Sequence, residues 1–468
     1  MALPRRLFVT GCAVTRTTET VVRLTGARFF LPAVLVQRFA DFGGIDPDVM
    51  AGQFKHARSF ADGRWVDYWS EIAAEHAAKA DEALRATADA AGLTSVTVDG
   101  LIHTDNRAAI DTLGQLLAPA ALLLADRGPH GSAEQVDRFV SAHASDDVAA
   151  TGCLIHATIA LDSLVKVATY HTIAAWPVRT TARMRAYTTS RRLAEALVTA
   201  IAPAIGVHFE AIETAVDGEL VTGFAVFPSG EDGCATVLAV NGLDGTAQEL
   251  LFSLLKYRNT GLGMVVMEMP GTYSYRHPMS ERSERIFDAV IEHLAQHPRV
   301  DGDRIGIFGL SFGGYWSTRM AASNSRLRCA VTCGTPTHRS FQPSGSIGIP
   351  EVMVAAMRTT VGAAGLRELA PTLRALSLRD MYGRIAIPLL VINGDSDTIV
   401  DSRDSIDLAA AVPHSDLLLY AGDDHCAIGH FTEWMDLALD WLRDNLTQRP
   451  LAPGTESAGA LQTPTLRP

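Results

Sequence analysis

The chain has 468 residues, of which 47% are apolar and 20% are charged. These fractions are close to the globular average and exclude a disordered chain or a low-complexity fibre. The 40 basic and 52 acidic residues give a formal net charge of −12, so the chain lacks the basic footprint of a nucleic-acid-binding protein. The charge also gives no reason to expect attraction to anionic lipid surfaces. At roughly 150 residues per domain, the length predicts two to three domains.

The N-terminal segment is a poor match to an export signal. Arg5 and Arg6 precede a cleavage-like Val-Thr-Gly-Cys, but only about four apolar residues lie between them and that site, whereas a signal peptide needs about 7 to 15. The densest apolar run, residues 116–125, contains Pro119 and is shorter than the roughly 18 residues of a spanning helix. Six cysteines without a Cys-x-x-Cys pair indicate a reducing compartment. We therefore expect a cytoplasmic protein with no membrane partner.

The first 205 residues have the pattern of helices. Residues 65–87 are rich in Ala, Glu and Lys, with Trp65 and Trp69 at helical spacing. A second helix is predicted over residues 154–176 and ends at Pro177, and a third is predicted over residues 189–201. Between the first two helices the pattern is less regular, and a Gly-Pro-His-Gly sequence at residues 128–131 predicts a loop. The sequence therefore predicts a helical N-terminal domain over residues 1–205.

The pattern then changes to strands that alternate with helices. Two strands flank Asp217-Gly218, which is a strong hairpin signal. Short apolar strands between amphipathic helices are typical of a mostly parallel sheet that is buried on both faces. Strands are predicted over residues 207–213, 220–227, 236–240, 264–267, 304–308, 330–333, 388–392 and 417–420, and helices over 248–257, 281–296 and 313–322. The sequence predicts an α/β domain over residues 206–448, followed by a flexible Pro-, Gly-, Ser- and Thr-rich tail over 449–468.

The sharpest motif is Gly-Leu-Ser-Phe-Gly, centred on Ser311. The pattern alone is weak, but an apolar strand leads into it and a helix follows it, as in the nucleophile elbow of a hydrolase. The glycines on either side leave room for a tight turn between strand and helix. The N-terminus of the following helix favours developing negative charge. Ser311 is therefore the predicted nucleophile.

A serine hydroxyl needs a base, and the base needs an acid that fixes its tautomer. In this fold the chain order is Ser, then Asp or Glu, then His. Asp395 and Asp397 both follow a buried strand and compete for the acid. We favour Asp397, because Gly-x-x-Asp followed by the short stretch 398–400 places its carboxylate over the strand end, whereas Asp395 is better placed to hold the turn. His425 follows the next strand and is the predicted base. Both loops leave the carboxyl ends of parallel strands, the edge at which Ser311 must lie.

Acyl chemistry also needs two donors for an oxyanion. The backbone N–H of Phe312, directly after the nucleophile, is the first. The second normally comes from the turn after an earlier central strand, here Asn-Gly-Leu-Asp-Gly at residues 241–245. We expect the N–H of Leu243 to donate and Gly242 to allow close approach of the backbone.

With these residues placed, the chain resembles the fermentation–respiration-switch esterase-like group of α/β-hydrolases, which includes 2,6-dihydroxypseudooxynicotine hydrolase and the pigment-pathway hydrolases that shorten polyketides. The resemblance is carried by the hairpin at 217–218, the turn at 241–243, Met-Pro-Gly-Thr at 269–272, the elbow, and Asp-His-Cys at 424–426 before a closing helix. It implies an α/β-hydrolase fold whose helical N-terminal region packs over the active site and shapes the substrate pocket. It also implies Ser311, Asp397 and His425 as nucleophile, acid and base.

Two features depart from the family pattern. The strand before Pro270 ends in Glu268-Met269, where relatives often carry Asp-x-Pro-Gly. Residues 92–150 are enlarged, and we expect this stretch to remodel the pocket.

The expected function is a cofactor-independent serine hydrolase that acts on a small-molecule substrate. The bond cleaved is an ester or a carbon–carbon bond next to a carbonyl, in a β-dicarbonyl-like or polyketide-type metabolite, through an acyl-enzyme. An acyltransferase or cyclase that uses the same acyl-enzyme is the alternative, and a non-enzymatic binding module is disfavoured by the complete set of Ser, His and Asp. No His, Asp or Glu cluster has metal-ligand spacing, so no metal is expected. The sequence leaves a homodimer open.

Overall fold

The computed structural model describes residues 3–103, 106–126, 133–230 and 233–447. The predicted loop at 128–131 and the predicted tail at 449–468 lie outside these ranges. The first half of the described chain is helical: α1 (Leu3–Thr15), α2 (Thr18–Thr25), α3 (Ala33–Gly43), α4 (Pro47–His56), α5 (Asp62–Ala91), α6 (Val98–His103), α7 (Arg107–Leu117), α8 (Ala121–Ala125), α9 (Ala133–His143), α10 (Val148–Ala175) and α11 (Thr181–Ile201).

The long helices α5 and α10 pack along each other and extend beyond the predicted bounds. Helix α10 begins six residues earlier than its apolar stripe, because the Asp147 side chain accepts hydrogen bonds from the N–H groups of Ala149 and Ala150 and caps the helix. Helix α5 ends at Gly92, whose φ of 66° is the left-handed conformation that terminates helices. Local capping residues outside the apolar pattern therefore set these bounds.

Two stretches among the described residues, 107–125 and 148–175, are long and apolar enough to cross a membrane by length and composition. The first was expected to be interrupted at Pro119, but a 3₁₀ turn over Ala118–Ala120 carries the helical path past that residue. In α10, half of the most apolar window is buried, and the helix packs against both α5 and α11. Buried core helices pass the same test, so the two stretches are weak indications of spans. The absence of a membrane partner stays a prediction.

The second half alternates strands and helices, as expected. The strands are β1 (Val207–Val216), β2 (Glu219–Pro228), β3 (Cys234–Val240), β4 (Gly263–Met267), β5 (Val300–Leu310), β6 (Leu327–Cys333), β7 (Leu389–Gly394) and β8 (Ser415–Tyr420). The helices are α12 (Ala247–Leu254), α13 (Glu284–Ala295), α14 (Phe312–Ser323), α15 (Glu351–Val361), α16 (Leu366–Ala375), α17 (Arg403–Ala411) and α18 (Phe431–Thr447). Helices α15 and α16 lie between β6 and β7, in a stretch without predicted elements.

The described strands form one eight-stranded sheet in the order β1-β2-β4-β3-β5-β6-β7-β8. The β1–β2 hairpin turns at Asp217-Gly218, and β2 pairs antiparallel with β4. All remaining neighbours are parallel. This is the mostly parallel sheet of an α/β-hydrolase. Because β3, β5, β7 and β8 run in the same direction, the loops that follow them meet at one edge.

The hydrophobic core is continuous across the change from helices to sheet. One buried cluster contains Leu161 of α10, Leu197 of α11, Phe224 of β2, Phe308 of β5 and Trp434 of α18. A second cluster fills the other face of the sheet, and a third surrounds Trp65 and Trp176 in the helical half. The helical half is therefore packed onto the sheet through a common core, and the two domain ranges stay a prediction.

Candidate active site

Ser311 lies between β5 and α14 in a strained backbone conformation. Its φ of 54° and ψ of −122° are unusual for a residue with a side chain, and such strain is found at functional turns. The tight turn leaves no room at the neighbouring glycines. A Cβ atom on Gly309 would lie 2.1 Å from the carbonyl oxygen of Gly313, and one on Gly313 would lie 2.1 Å from that of Val240. The motif therefore needs glycine at both positions.

The structure brings together the three side chains predicted as nucleophile, base and acid. His425 Nε2 lies 2.9 Å from Ser311 Oγ, and His425 Nδ1 lies 2.8 Å from Asp397 Oδ2. The Asp397 side chain is fully buried and His425 is nearly so. These contacts form an unbroken hydrogen-bonded chain from carboxylate to hydroxyl.

The two competing aspartates have different surroundings. Asp397 Oδ1 accepts hydrogen bonds from the N–H groups of Ile399 and Val400, both at 2.8 Å, while Oδ2 faces His425. Asp395 instead accepts from the N–H of Gly422 at 2.8 Å, and so ties two loops together. The geometry favours Asp397 as the partner of His425 and gives Asp395 a place in the turn.

The protonation of His425 depends on its neighbours. Burial by itself lowers the pKa of the imidazole, but the negative charges of the Asp397 carboxylate and of the Cys426 thiolate, with their hydrogen bonds, raise this pKa well above its ordinary value of 6.5. The pair therefore holds a proton on His425 more tightly than a free imidazole would. A neutral imidazole, which can act as a base, forms only at a correspondingly higher pH.

The predicted oxyanion loop lies directly beside Ser311. A Cβ atom on Gly242 would be 2.9 Å from Ser311 Cβ, so only glycine allows this approach. The N–H of Gly242 donates to the Asn241 side chain at 3.0 Å. The N–H of Leu243 has no acceptor among the described residues, and Phe312, the first residue of α14, has no intrahelical acceptor for its N–H. Both donors border the cavity that contains Ser311.

A cavity of about 550 Å³ opens onto Ser311 and His425. Its walls are mainly apolar and come from both halves of the chain. Helices α1 and α3 contribute Val14, Leu35 and Phe42, and α15 and α16 contribute Met353, Met357 and Leu373. The N-terminal helices thus cover the site, but the two helices between β6 and β7 form a further wall that the sequence pattern did not predict.

The enlarged stretch of residues 92–150 contributes little to this cavity. Of its described residues, Leu124 of α8 borders the cavity. The expectation that this stretch remodels the pocket is therefore met at one position only, because α7 and α9 pack against α10 and α11 instead.

Glu268 lies just before Pro270, where the sequence departs from the family pattern. Its side chain is buried and lies outside the cavity lining. Its carboxyl group accepts hydrogen bonds from the Tyr187 hydroxyl at 2.7 Å and the Ala247 N–H at 3.3 Å. Burial raises its pKa, and Arg191 offsets this in part. Glu268 therefore joins α11 to α12 and the sheet.

Sequence reasoning missed several residues that hold the site. Asn393 Nδ2 donates to Asp397 at 3.0 Å, and its Oδ1 accepts from the N–H of Cys426 at 3.1 Å. The Cys426 and Cys333 thiols each contact the other residue's carbonyl oxygen at 3.5 Å. The Cys333 thiol and His425 lower the pKa of Cys426 to about 6. In the sequence, Cys426 could have been noticed because it is next to His425. Cys333 could not, because it lies 93 residues before Cys426.

All six cysteines lie within the described residues, and none of them forms a disulfide bond. Among the residues that the structure describes, no group of three or more His, Cys, Asp or Glu side chains is arranged to hold a metal ion.

Known esterases resemble this chain over more than half of its length. A family model described as esterase FrsA-like matches residues 155–447, more than half of the chain. Esterase FrsA of Vibrio cholerae serotype O1 is 25% identical over 297 residues, covering 61% of this chain and 71% of the relative. Esterase FrsA of Photobacterium profundum is 24% identical over 306 residues, covering 61% and 70%.

Two solved structures share the fold. The 2,6-dihydroxy-pseudo-oxynicotine hydrolase aligns with a TM-score of 0.54 at 19% identity, over 78% of this chain and 96% of that chain. AbyA5 aligns with a TM-score of 0.54 at 22% identity, over 60% and 80%. The elbow, the sheet order and the family match lead to the same conclusion: the chain belongs to the FrsA-like esterase family and is an α/β-hydrolase enzyme.

Proposed function

We propose that this hydrolase forms an acyl-enzyme on Ser311 and that its substrate is an apolar carbonyl compound of the polyketide type. The observation that carries the proposal is the chain Ser311–His425–Asp397, hydrogen-bonded at 2.9 and 2.8 Å, at the wall of the apolar cavity. Such a chain activates a serine for attack on a carbonyl carbon.

In the proposed mechanism, Ser311 Oγ attacks the carbonyl while His425 Nε2 takes the hydroxyl proton. Asp397 stays ionised and orients the imidazole through Nδ1–H. The N–H groups of Phe312 and Leu243 donate to the oxyanion. When the tetrahedral adduct collapses, the leaving group takes the proton from His425, and water then hydrolyses the acyl-enzyme by the same steps.

Ester and carbon–carbon cleavage differ in this scheme only in the leaving group. An ester releases an alkoxide, which His425 protonates. A β-dicarbonyl compound releases an enolate, whose negative charge is delocalised onto the second carbonyl, and His425 then protonates its carbon. Family membership supports the ester reaction, and the volume and apolar walls of the cavity support a substrate larger than a short-chain ester.

Acyl transfer or cyclisation is the second candidate. The walls formed by Leu35, Phe42, Met353 and Met357 are apolar, and an apolar enclosure disfavours water as the second nucleophile. Incubation with a polyketide-type thioester or ester, with and without an added alcohol acceptor, separates the two candidates. A free acid indicates hydrolysis, and an ester of the acceptor or a lactone indicates transfer.

The experiment for the proposed function is covalent labelling. A fluorophosphonate probe is expected to modify Ser311 of the native protein, and Ser311→Ala is expected to lose labelling and to lower kcat on p-nitrophenyl esters by on the order of 10⁵-fold. Ser323→Ala, at the exposed end of α14, is the matched control and should keep both. Labelling that persists in Ser311→Ala would contradict the assignment. A parallel screen of β-diketones and phenolic polyketides identifies the bond cleaved.

A further inference from the structure

Arg38 of α3 crosses from the helical half to the oxyanion loop. Its guanidinium donates from Nη1 to Asp244 Oδ2 at 3.0 Å and from Nη2 to the Asp244 carbonyl oxygen at 3.2 Å. The same group binds both carboxylate oxygens of Glu249 in α12, with Nη2 at 2.7 Å from Oε2. One side chain thus joins the loop to the helix that follows it.

Asp244 is held from further directions as well. The Trp176 indole donates to its carboxylate, and the Tyr273 hydroxyl donates to its carbonyl oxygen at 2.7 Å. Asp244 is 8% exposed and Glu249 is 6% exposed. Hydrogen bonds to buried charges are stronger than neutral ones, and the planar fork of arginine can engage two acceptors at once.

The contacts of Arg38, Trp176 and Tyr273 hold Asp244, which directly follows Leu243, the predicted oxyanion donor. The loop closes on itself through a hydrogen bond from the Gly245 N–H to the Gly242 carbonyl at 3.2 Å. Asn241 occupies the N–H of Gly242, whereas the N–H of Leu243 has no acceptor among the described residues and borders the cavity beside Ser311. Because Leu243 precedes Asp244, a shift of Asp244 moves that donor relative to Ser311.

Arg38 stays charged while it does this. Burial lowers its pKa, but Asp244 and Glu249 raise the pKa well above its ordinary value. Loss of the guanidinium would leave two buried carboxylates without their cation, which is costly. A displacement of about 1 Å at a catalytic group can cost about 10²-fold in rate.

We propose that Arg38 is a positioning residue that sets the oxyanion hole through Asp244, so that the helical half of the chain fixes catalytic geometry as well as the pocket. The inference rests on the proposed function of Ser311.

Two variants test this proposal. Arg38→Lys keeps the positive charge but lacks the planar fork whose three nitrogens contact Asp244 and both carboxylate oxygens of Glu249. Tyr273→Phe removes one hydrogen bond without leaving a charge unpaired. The measured quantities are the rate constant and final stoichiometry of fluorophosphonate labelling, with kcat and KM for p-nitrophenyl butyrate. We expect labelling to slow by about 10- to 100-fold in Arg38→Lys and about 3- to 10-fold in Tyr273→Phe. Stoichiometry should stay complete and KM should change less than about threefold, because the donor acts on the transition state.

Arg258→Lys is the matched control. Arg258 is a buried arginine that also joins the two halves, through the Ala125 carbonyl at 2.9 Å, and it lies outside the cavity lining. It should label at the native rate. Native rates with full stoichiometry in Arg38→Lys and Tyr273→Phe would overturn the proposal while leaving Ser311 as nucleophile. If Arg38→Lys misfolds and its stoichiometry falls, Tyr273→Phe decides. A native protein that is not labelled at Ser311 contradicts the proposed function instead.

Discussion

At the scale of single residues, the site depends on where a Cβ atom can and cannot be placed. Ser311 itself has a positive φ, while Gly309, Gly313 and Gly242 give the space that lets strand, helix and oxyanion loop approach it. Two hydrogen bonds stabilise this strained turn. The Ser311 N–H donates to the Cys333 carbonyl oxygen at 2.7 Å, and the Ser311 carbonyl oxygen accepts from the Gly314 N–H at 2.8 Å.

Gly242→Ala tests the close approach of the oxyanion loop. The new Cβ atom would lie 2.9 Å from Ser311 Cβ and 3.3 Å from Ser311 Oγ, so the loop or the nucleophile must move. We expect kcat to fall by about 10²-fold with little loss of stability. Gly52→Ala, at a helical position with no atom within 4 Å, is the control and should keep the native kcat. A native kcat in Gly242→Ala would exclude this loop from the oxyanion site.

Asp397→Asn tests the charge that holds the proton on His425. Because Asp397 raises the pKa of His425 above 6.5, kcat/KM of the native protein should rise with pH through a pKa above that value, since only the neutral imidazole is a base. The variant removes the negative charge, so the pKa of His425 falls and the rise of kcat/KM with pH moves to lower pH. At the same time kcat decreases by about 10⁴-fold. Profiles of kcat/KM from pH 5 to 10 measure both effects.

The control for this experiment is Asp395→Asn. It should leave the pH at which kcat/KM rises unchanged, because Asp395 faces the backbone of Gly422. If kcat/KM of Asp397→Asn rises at the same pH as that of the native protein, another group governs the protonation of His425.

At the scale of elements, strand positions follow from the sequence because each strand is a short apolar run. Helix bounds follow less closely, since caps such as Asp147 lie outside the apolar stripe. Helices α15 and α16 lie between β6 and β7 with few fully buried residues, and α16 contains Pro371 in its interior. An interior proline argues against a helix, so the sequence pattern did not predict this one. They matter nevertheless, because they form a wall of the cavity.

Gly114→Ala tests the packing of α7 against α11. A Cβ atom at this position would lie 2.6 Å from the Ala200 carbonyl oxygen, and the backbone would have to shift. Alanine normally stabilises a helix by about 1 kcal/mol relative to glycine, but we expect the contact to dominate and the free energy of unfolding to fall by about 1 to 3 kcal/mol. Denaturant titration measures it, with Gly52→Ala as the open-space comparison. Equal stabilisation of both variants would show that α7 and α11 are not this close.

At the scale of the whole molecule, the helical half and the sheet have a common core. Leu161 of α10 and Trp434 of α18 belong to one buried cluster, and Arg38 adds a charged contact across the same boundary. A change in either half therefore affects the packing of the other.

The common core predicts cooperative unfolding. Differential scanning calorimetry is expected to show one transition, with the calorimetric and van't Hoff enthalpies equal. Leu161→Ala should cost about 2 to 5 kcal/mol and move the whole transition to lower temperature. Two separate transitions, of which Leu161→Ala moves only one, would contradict a common core and favour independent domains.

The sequence by itself determined the fold class, the strands and the chain order of Ser311, Asp397 and His425, because an apolar run followed by a polar loop is a local pattern. It also indicated Gly242 and Leu243 through the turn after β3. The sequence favoured Asp397 over Asp395, and the structure places Asp397 against His425. Only the tertiary structure decided that Asn393 contacts Asp397 and that Arg38 reaches the oxyanion loop. Arg38 is separated from Asp244 by 206 residues, so no local pattern records the contact. Only the packing of α3 against α12 brings the two together.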